Sequence, residues 1–254
     1  MKLKFLGTGG VLGTPVWNCN CKTCSSGNER NNRLRPSFLI QLETVNIIID
    51  FGKDFYQQLL KYSIPQFDYA FLTHAHQDHM DGQEQFVIAG DCQVSMPKNV
   101  LEKFREKTNE KRLAARNPKL RIREFSLFEV DGFSIDSVKL SHQKDYDVVN
   151  CPCYGYVFRS KNFSFAYVGD NNDVLEPEKL HNLDLLISDG NCMENNNLGH
   201  IGIIEGIEKQ YKAFNPKRMI FTHLSHEVEY DGACEYVKPF GGVEIAYDGM
   251  EIEF

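Results

Sequence analysis

The sequence predicts a layered α/β fold of two sheets with helices outside. Short apolar, β-branched runs alternate with stretches of helical spacing along the whole chain. Several strand-like runs end directly on histidine or aspartate, the address from which a layered fold presents side chains to a common cleft. No low-complexity linker divides the 254 residues, so residues 1–254 read as a single domain.

The elements follow in order. Lys2–Leu6 reads as a strand closed by the turn Gly7-Thr8-Gly9-Gly10. Residues 14–36, rich in Asn, Cys, Ser and Arg, read as an irregular loop. Ser37–Leu42 and Asn46–Asp50 form a hairpin around Glu43-Thr44-Val45. Gly52–Tyr62 has helical spacing, with Phe55, Leu59 and Tyr62 on one side. Asp68–Thr73 is a buried-type strand. Phe133–Leu140 alternates as a strand and ends at Ser141-His142. Tyr154–Arg159 and Phe163–Val168 are strands, the second ending at Gly169-Asp170. Leu183–Ser188 ends at Asp189-Gly190. His200–Phe214 reads as a helix carrying Ile203, Ile204, Ile207, Tyr211 and Phe214, and Lys217–Thr222 is a strand ending at His223.

Composition is that of an ordinary soluble protein. The N-terminal apolar stretch is too short for a signal peptide, and no run reaches the length of a membrane span, so a cytoplasmic location is expected. In that compartment the eight cysteines read as thiols or metal ligands rather than disulfides. Cys92, Cys192 and Cys234 read as buried thiols, and Cys151-Pro152-Cys153 fits no recognised pattern. A net charge of −7 argues against general nucleic-acid binding. Lys98–Arg123 departs from it with an excess of seven positive charges. Glu102, Glu106 and Glu110, four apart among the basic residues, make it a solvated helical face; the alternative is a basic flap near an anionic substrate.

The segment Thr73-His74-Ala75-His76-Gln77-Asp78-His79 holds three of the eight histidines in six residues. Imidazole and carboxylate ligate zinc, manganese or iron. Four such groups on one turn cannot all reach a single ion from one side. They read as ligands of two adjacent ions, His74 and His76 for one, Asp78 and His79 for the other. His142, Asp170 and His223 stand at three further strand ends, and Asp170 could bridge the ions with its two oxygens. Such a pair can polarise a phosphoryl oxygen and provide hydroxide at neutral pH.

A second constellation is Cys19, Cys21 and Cys24 on the polar loop. Zinc favours thiolates in closed tetrahedral sites, and His226 in Thr222-His223-Leu224-Ser225-His226 is the best fourth ligand. This zinc would be structural.

The histidine motif resembles that of the metallo-β-lactamase superfamily over most of the chain. The resemblance implies a four-layer αβ/βα sandwich of two mixed β-sheets. It implies that His74, His76 and His142 hold one ion, that Asp78, His79 and His223 hold the other, and that Asp170 lies between them. Asp50 matches the family's acidic residue that orients a ligand imidazole. With Cys19-x-Cys21-x-x-Cys24 added, the chain resembles the phosphoribosyl cyclic phosphodiesterases of bacterial phosphonate operons. That narrower resemblance implies two active-site divalent ions (manganese or zinc, with iron left open) and one structural zinc.

It also implies that His200, after Gly199 at the start of the late helix, acts on the phosphoryl group, with Asp78 as its catalytic companion. A helix N-terminus would disfavour a charged imidazole there, and a bound phosphate would favour it. The expected activity is hydrolysis of a small anionic phosphate ester, 5-phosphoribosyl 1,2-cyclic phosphate or a related cyclic nucleotide or sugar phosphate. The alternatives are a tRNA 3′-processing endonuclease, a thioester or lactam hydrolase, and a non-catalytic binding protein. No membrane or nucleic-acid partner is expected, and the sequence leaves a homodimer open.

Overall fold

The computed structural model describes residues 1–142, 151–195 and 199–254. Two mixed sheets face each other. The first is seven-stranded, in the order β15 (Glu251–Glu253), β1 (Lys2–Gly7), β2 (Ser37–Gln41), β3 (Asn46–Ile49), β4 (Tyr69–Phe71), β5 (Gln93–Met96), β6 (Arg121–Glu124). The second is eight-stranded. Its path is β11 (Asp173–Val174), β8 (Phe133–Ser141), β9 (Cys153–Arg159), β10 (Ser164–Val168), β12 (Leu185–Asp189), β13 (Arg218–Thr222) and β14 (Val243–Ile245), with β7 (Phe128–Val130) paired to β8. In the first sheet β3 through β6 are parallel, and in the second β10, β12, β13 and β14 are parallel.

The period-two alternation of strands accounts for the layers. Phe38, Ile40, Ile47 and Ile49 face inward with Phe165, Tyr167, Leu185, Ile187 and Ile220, forming one core between the sheets. Their neighbours Leu39 and Ile48 face outward, into a core with Phe55 of α1 (Phe55–Lys61) and Val100 and Phe104 of α3 (Lys98–Lys107). Ala166, Val168, Leu186, Met219 and Phe221 line the outer face of the second sheet, against Ile203, Ile207 and Phe214. Both sheets are thus buried on both faces, which is why their strands read as continuous apolar runs. The result is the four-layer sandwich with helices outside.

Three expectations need correction. The helix anticipated over Gly52–Tyr62 occupies Phe55–Lys61, because Gly52 is used for close approach: a Cβ there would lie 1.7 Å from the Asp78 carbonyl oxygen. The late helix begins at α5 (Ile203–Gly206), widens into a π-turn over Ile207–Tyr211 and closes in α6 (Lys212–Phe214). His200 therefore precedes the helix instead of starting it. Cys234 is half-buried, whereas Cys92 and Cys192 are buried. The basic segment folds as α3, α4 (Glu110–Arg116) and β6, with exposed charges in surface pairs such as Lys103–Glu106 and Arg105–Glu110. It is the solvated face, not a flap, except for Lys107.

The loop over 14–36 is irregular, as expected, with one short 3-10 turn at Glu29–Asn31. A single buried cation anchors it. The Arg33 guanidinium is 2% exposed and donates to the carbonyls of Ser225 (2.9 Å) and Val228 (2.8 Å) and to Asn31 Oδ1 (3.0 Å). Burial lowers its pKa to about 10, with Asp248 opposing the shift. It thereby ties the cysteine loop to the segment that carries His226. Arg33→Met should strand these acceptors and cost about 3 kcal/mol of unfolding free energy. Urea denaturation would measure this, and a loss below about 1 kcal/mol would remove Arg33 from its anchoring role.

Candidate metal centre

Strand ends from both sheets meet at one edge of the sandwich. Thr73-His74 follows β4, His142 follows β8, Asp170 follows β10, and His223 follows β13. Two inter-sheet bonds fix the meeting. Tyr156 Oη donates to the Leu72 carbonyl (2.7 Å), and the Tyr154 amide donates to the Thr73 carbonyl (3.1 Å). After Thr73 the chain enters α2 (Gln77–Met80), with His76 at its N-cap and Asp78 and His79 inside its single turn. The Phe51 amide donates to the His79 carbonyl (2.7 Å) and holds that turn against the first sheet.

The predicted ligands form two groups that share Asp170. In the first, His74 Nε2 lies 2.8 Å from His76 Nδ1, and His142 Nε2 lies 3.3 Å from the same atom. Asp170 Oδ2 stands 3.7 Å from His74 Nε2 and 3.8 Å from His142 Nε2. In the second group Asp170 Oδ1 lies 3.3 Å from His79 Nε2 and 3.2 Å from His223 Nε2. Asp78 Oδ2 is 3.5 Å from both of those nitrogens. Ligands about 2.1 Å from one tetrahedral zinc would be about 3.4 Å apart, close to most of these separations. The two oxygens of Asp170 thus face different groups, as the resemblance implied.

His79 Nε2, His223 Nε2 and Asp170 Oδ1 are buried and have no hydrogen-bond partner. Buried polar atoms in this condition are costly, and three converging on one point fit a cation. The residues therefore fit a metal pair.

The outward nitrogens are held as well. His79 Nδ1 donates to Asp50 Oδ2 (2.7 Å), and His142 Nδ1 donates to the Gly199 carbonyl (2.8 Å). Thr73 Oγ1 gives its proton to the Asp50 carboxylate (2.9 Å) and lies 3.0 Å from His74 Nδ1. These bonds turn Nε2 of His74, His79 and His142 inward. Asp50 and His223 both adopt left-handed backbone, with φ of 61° and 58°. That conformation is uncommon for residues other than glycine, and Asp and His are among those that adopt it.

The electrostatics suit ligation. Burial drives His74 well below the ordinary imidazole range, with His79 and His76 adding to it. Burial, with His142, lowers His76 to about 4. Burial opposes ionisation of Asp170, yet His223 and His79 outweigh it and hold the carboxyl well below its usual range. The same balance, through His79 and His223, leaves Asp78 at about 2. The carboxylates are charged and the imidazoles of the first group are neutral before any ion arrives.

His200 stands beside the centre, its ring 4.9 Å from that of His223 and 4.7 Å from that of His142. Its Nδ1 donates to Asp189 Oδ2 (2.7 Å). The sequence reading assigned no role to Asp189, which ends β12 and is fully buried. Asp189 also accepts from the amides of Asn171 (3.0 Å) and Asn191 (2.9 Å). Asn171 Oδ1 in turn receives Gln210 Nε2 (2.7 Å), presented by the π-turn, and Ser188 Oγ donates to Gln210 Oε1. This buried network supports Asp170 from behind. The one sequence signal for it was Asp189 at the end of an apolar strand. Cys153 joins it, its thiol donating to the Asp170 carbonyl (3.2 Å), whereas Cys151 is half-buried with its pKa pushed up by burial.

The cysteine constellation also assembles. Sγ of Cys19 and of Cys21 each lie 3.5 Å from His226 Nδ1, and Cys24 completes the group. A tetrahedral zinc with three sulfurs and one nitrogen would set S···N separations of about 3.5 Å. His226 also lines the cavity over the first centre. That cavity has a volume of about 610 Å³ and is bounded further by Gly10–Gly13, Gln77, Lys107, Asn191, His200 and Glu227. Lys107 enters the wall by donating to the Ala75 carbonyl (2.6 Å).

Residues 45–224 match the family described as the beta-lactamase superfamily domain. The chain belongs to this family, and its fold is that of the metallo-β-lactamase superfamily. It is similar to the crystal structure of a new diphosphatase from the PhnP family, with 24% identity and a TM-score of 0.86 over 100% of this chain and 96% of that one. It is similar to zinc-bound PqqB from Methylobacterium extorquens, with 17% identity and a TM-score of 0.79 over the whole of both chains. It is also 27% identical, over 99% of its length, to an octanoyltransferase of Porphyromonas gingivalis strain W83. The chain spans only 51% of that relative. Among the described residues no helix is long and apolar enough to cross a membrane.

Asp50→Asn should keep the fold and weaken metal binding at the His79 group by about 10- to 100-fold, because the imidazole loses its orienting carboxylate. Metal titration of the chelator-stripped protein would show it. Unchanged affinity would contradict the role given to Asp50.

Proposed function

We propose that the protein is a dinuclear metal-dependent phosphodiesterase acting on a small anionic phosphate ester. The observation that carries this reading is the placement of Asp170, whose two oxygens face two separate ligand groups at the floor of one cavity. A pair of divalent ions held there supplies Lewis acidity and activates water at neutral pH. The chain's own residues do the rest. Lys107 brings a positive charge to the wall, which favours an anion over a neutral ester. Asp189 accepts the Nδ1–H hydrogen bond of His200 and orients the ring at the cavity, where the protonated imidazole can donate from its other nitrogen to a phosphoryl oxygen or give that proton to the leaving oxygen. The cavity suits a small molecule. The preferred substrate is 5-phosphoribosyl 1,2-cyclic phosphate or a related cyclic sugar or nucleotide phosphate. The active-site ions are manganese or zinc, and the cysteine site takes a structural zinc.

A second reading, hydrolysis of a thioester, is favoured by the name of the Porphyromonas relative, since octanoyl transfer handles acyl groups. Fold does not fix the reaction, and that name belongs to a protein about twice as long.

Phosphorus NMR of the manganese-loaded protein with 5-phosphoribosyl 1,2-cyclic phosphate separates the readings. Ring opening to a single bisphosphate is expected. Inertness toward this and other phosphodiesters, with turnover of an acyl thioester, would overturn the proposal. Asp170→Ala and His76→Ala should each lower turnover by at least about 100-fold while leaving the fold intact by circular dichroism. Near-normal turnover in either would contradict the ligand assignment.

A further inference from the structure

The turn Gly10–Gly13 places two apolar side chains at the mouth of the cavity. Val11 is 58% exposed and Leu12 57% exposed, and both line it. The Gly13 amide donates to the Gly10 carbonyl (2.8 Å), so Val11 and Leu12 are the two central residues of a tight turn. The turn is fixed over the metal centre. The Gly10 amide donates to the Leu224 carbonyl (3.1 Å), Arg35 Nε donates to the Val11 carbonyl (3.2 Å), and Thr14 and Arg33 exchange backbone bonds of 2.9 and 2.8 Å. A Cβ on Gly10 would lie 3.6 Å from His223 Cε1, so the turn sits directly over a residue of the second ligand group. Gln77, Lys107, Asn191, His200, Ser225 and Glu227 elsewhere around the cavity are polar or charged. A fixed pair of water-exposed apolar side chains among polar and charged lining residues is the mark of a subsite for an apolar part of a ligand.

We propose that Val11 and Leu12 form a specificity subsite for an apolar alkyl or aromatic group attached to the phosphate. The inference rests on the phosphodiesterase reading and adds to its substrate class: esters with an apolar substituent beside the phosphoryl group are accepted alongside the cyclic sugar phosphates. The phosphate is held over the ligand groups by charge, and the substituent leaves water against the turn.

The test is titration calorimetry of the manganese-loaded protein with methyl phosphate, n-butyl phosphate and phenyl phosphate. Neither n-butyl nor phenyl phosphate needs to be turned over, so the result is independent of hydrolysis. At least one of the two should bind about tenfold tighter than methyl phosphate, the advantage expected from covering one apolar side chain. The stronger of the two identifies the substituent as alkyl or aromatic. In Val11→Ser/Leu12→Ser, with metal content verified as unchanged, the preference should collapse toward unity. Equal binding of all three by the unaltered protein, or a preference that survives the double substitution, would overturn the inference while leaving the phosphodiesterase reading in place. Failure of all three to bind would also overturn the inference, and the phosphodiesterase reading is decided separately by the phosphorus NMR.

Discussion

One buried carboxylate governs the design of this site. Asp170 is 2% exposed and lies between two sets of imidazoles. An unpaired anion at that depth would be unfavourable by many kcal/mol; His79 and His223, both raised above the ordinary imidazole range by Asp170 and its neighbours, offset it, while burial lowers His74, His76 and His142. A metal cation held between the two groups would take over that balancing charge. The partnerless atoms His79 Nε2, His223 Nε2 and Asp170 Oδ1 mark where it belongs. The sandwich, the left-handed residues at Asp50 and His223 and the π-turn around Gln210 all serve to hold this carboxylate and its neighbours at ligand spacing.

The two metal constellations are mechanically joined. The segment from His223 to His226 contributes to both, and the chain from Gly10 to Cys19 runs from the cavity mouth to the thiolates. Arg33 clamps this second span against the first through backbone carbonyls. A zinc at the cysteines would therefore stabilise one wall of the active-site cavity as well as the loop.

How much of this was legible depended on distance in sequence. The motif from His74 to His79 is contiguous and its residue types are unusual for packing, so it stood out in the sequence, and the apolar strand ends pointed to His142, Asp170 and His223, which the fold brings beside it. The strands with inward and outward apolar faces were legible for the same reason. The start of the late helix was misplaced because its periodic signal begins at Ile203. The residues before it lie outside the helix, with Gly202 extended and the Ile201 amide bound to the Asn171 carbonyl (2.7 Å). Asp189, Asn171 and Gln210 escaped notice because a buried polar network is defined only by tertiary contact. The strand β6 was missed because three of its four residues are charged, as suits a sheet edge. Lys107 was visible only as one charge among ten, and what sets it apart is the Ala75 carbonyl it reaches.

The most direct test of the account is electron paramagnetic resonance of the protein loaded with two equivalents of manganese beyond the cysteine site. If Asp170 bridges two ions about 4 Å apart or less, the spectrum will show an exchange-coupled pair. In Asp170→Asn that coupling should weaken or vanish. A six-line spectrum of isolated manganese in the unaltered protein would contradict the shared carboxylate, and with it the dinuclear centre.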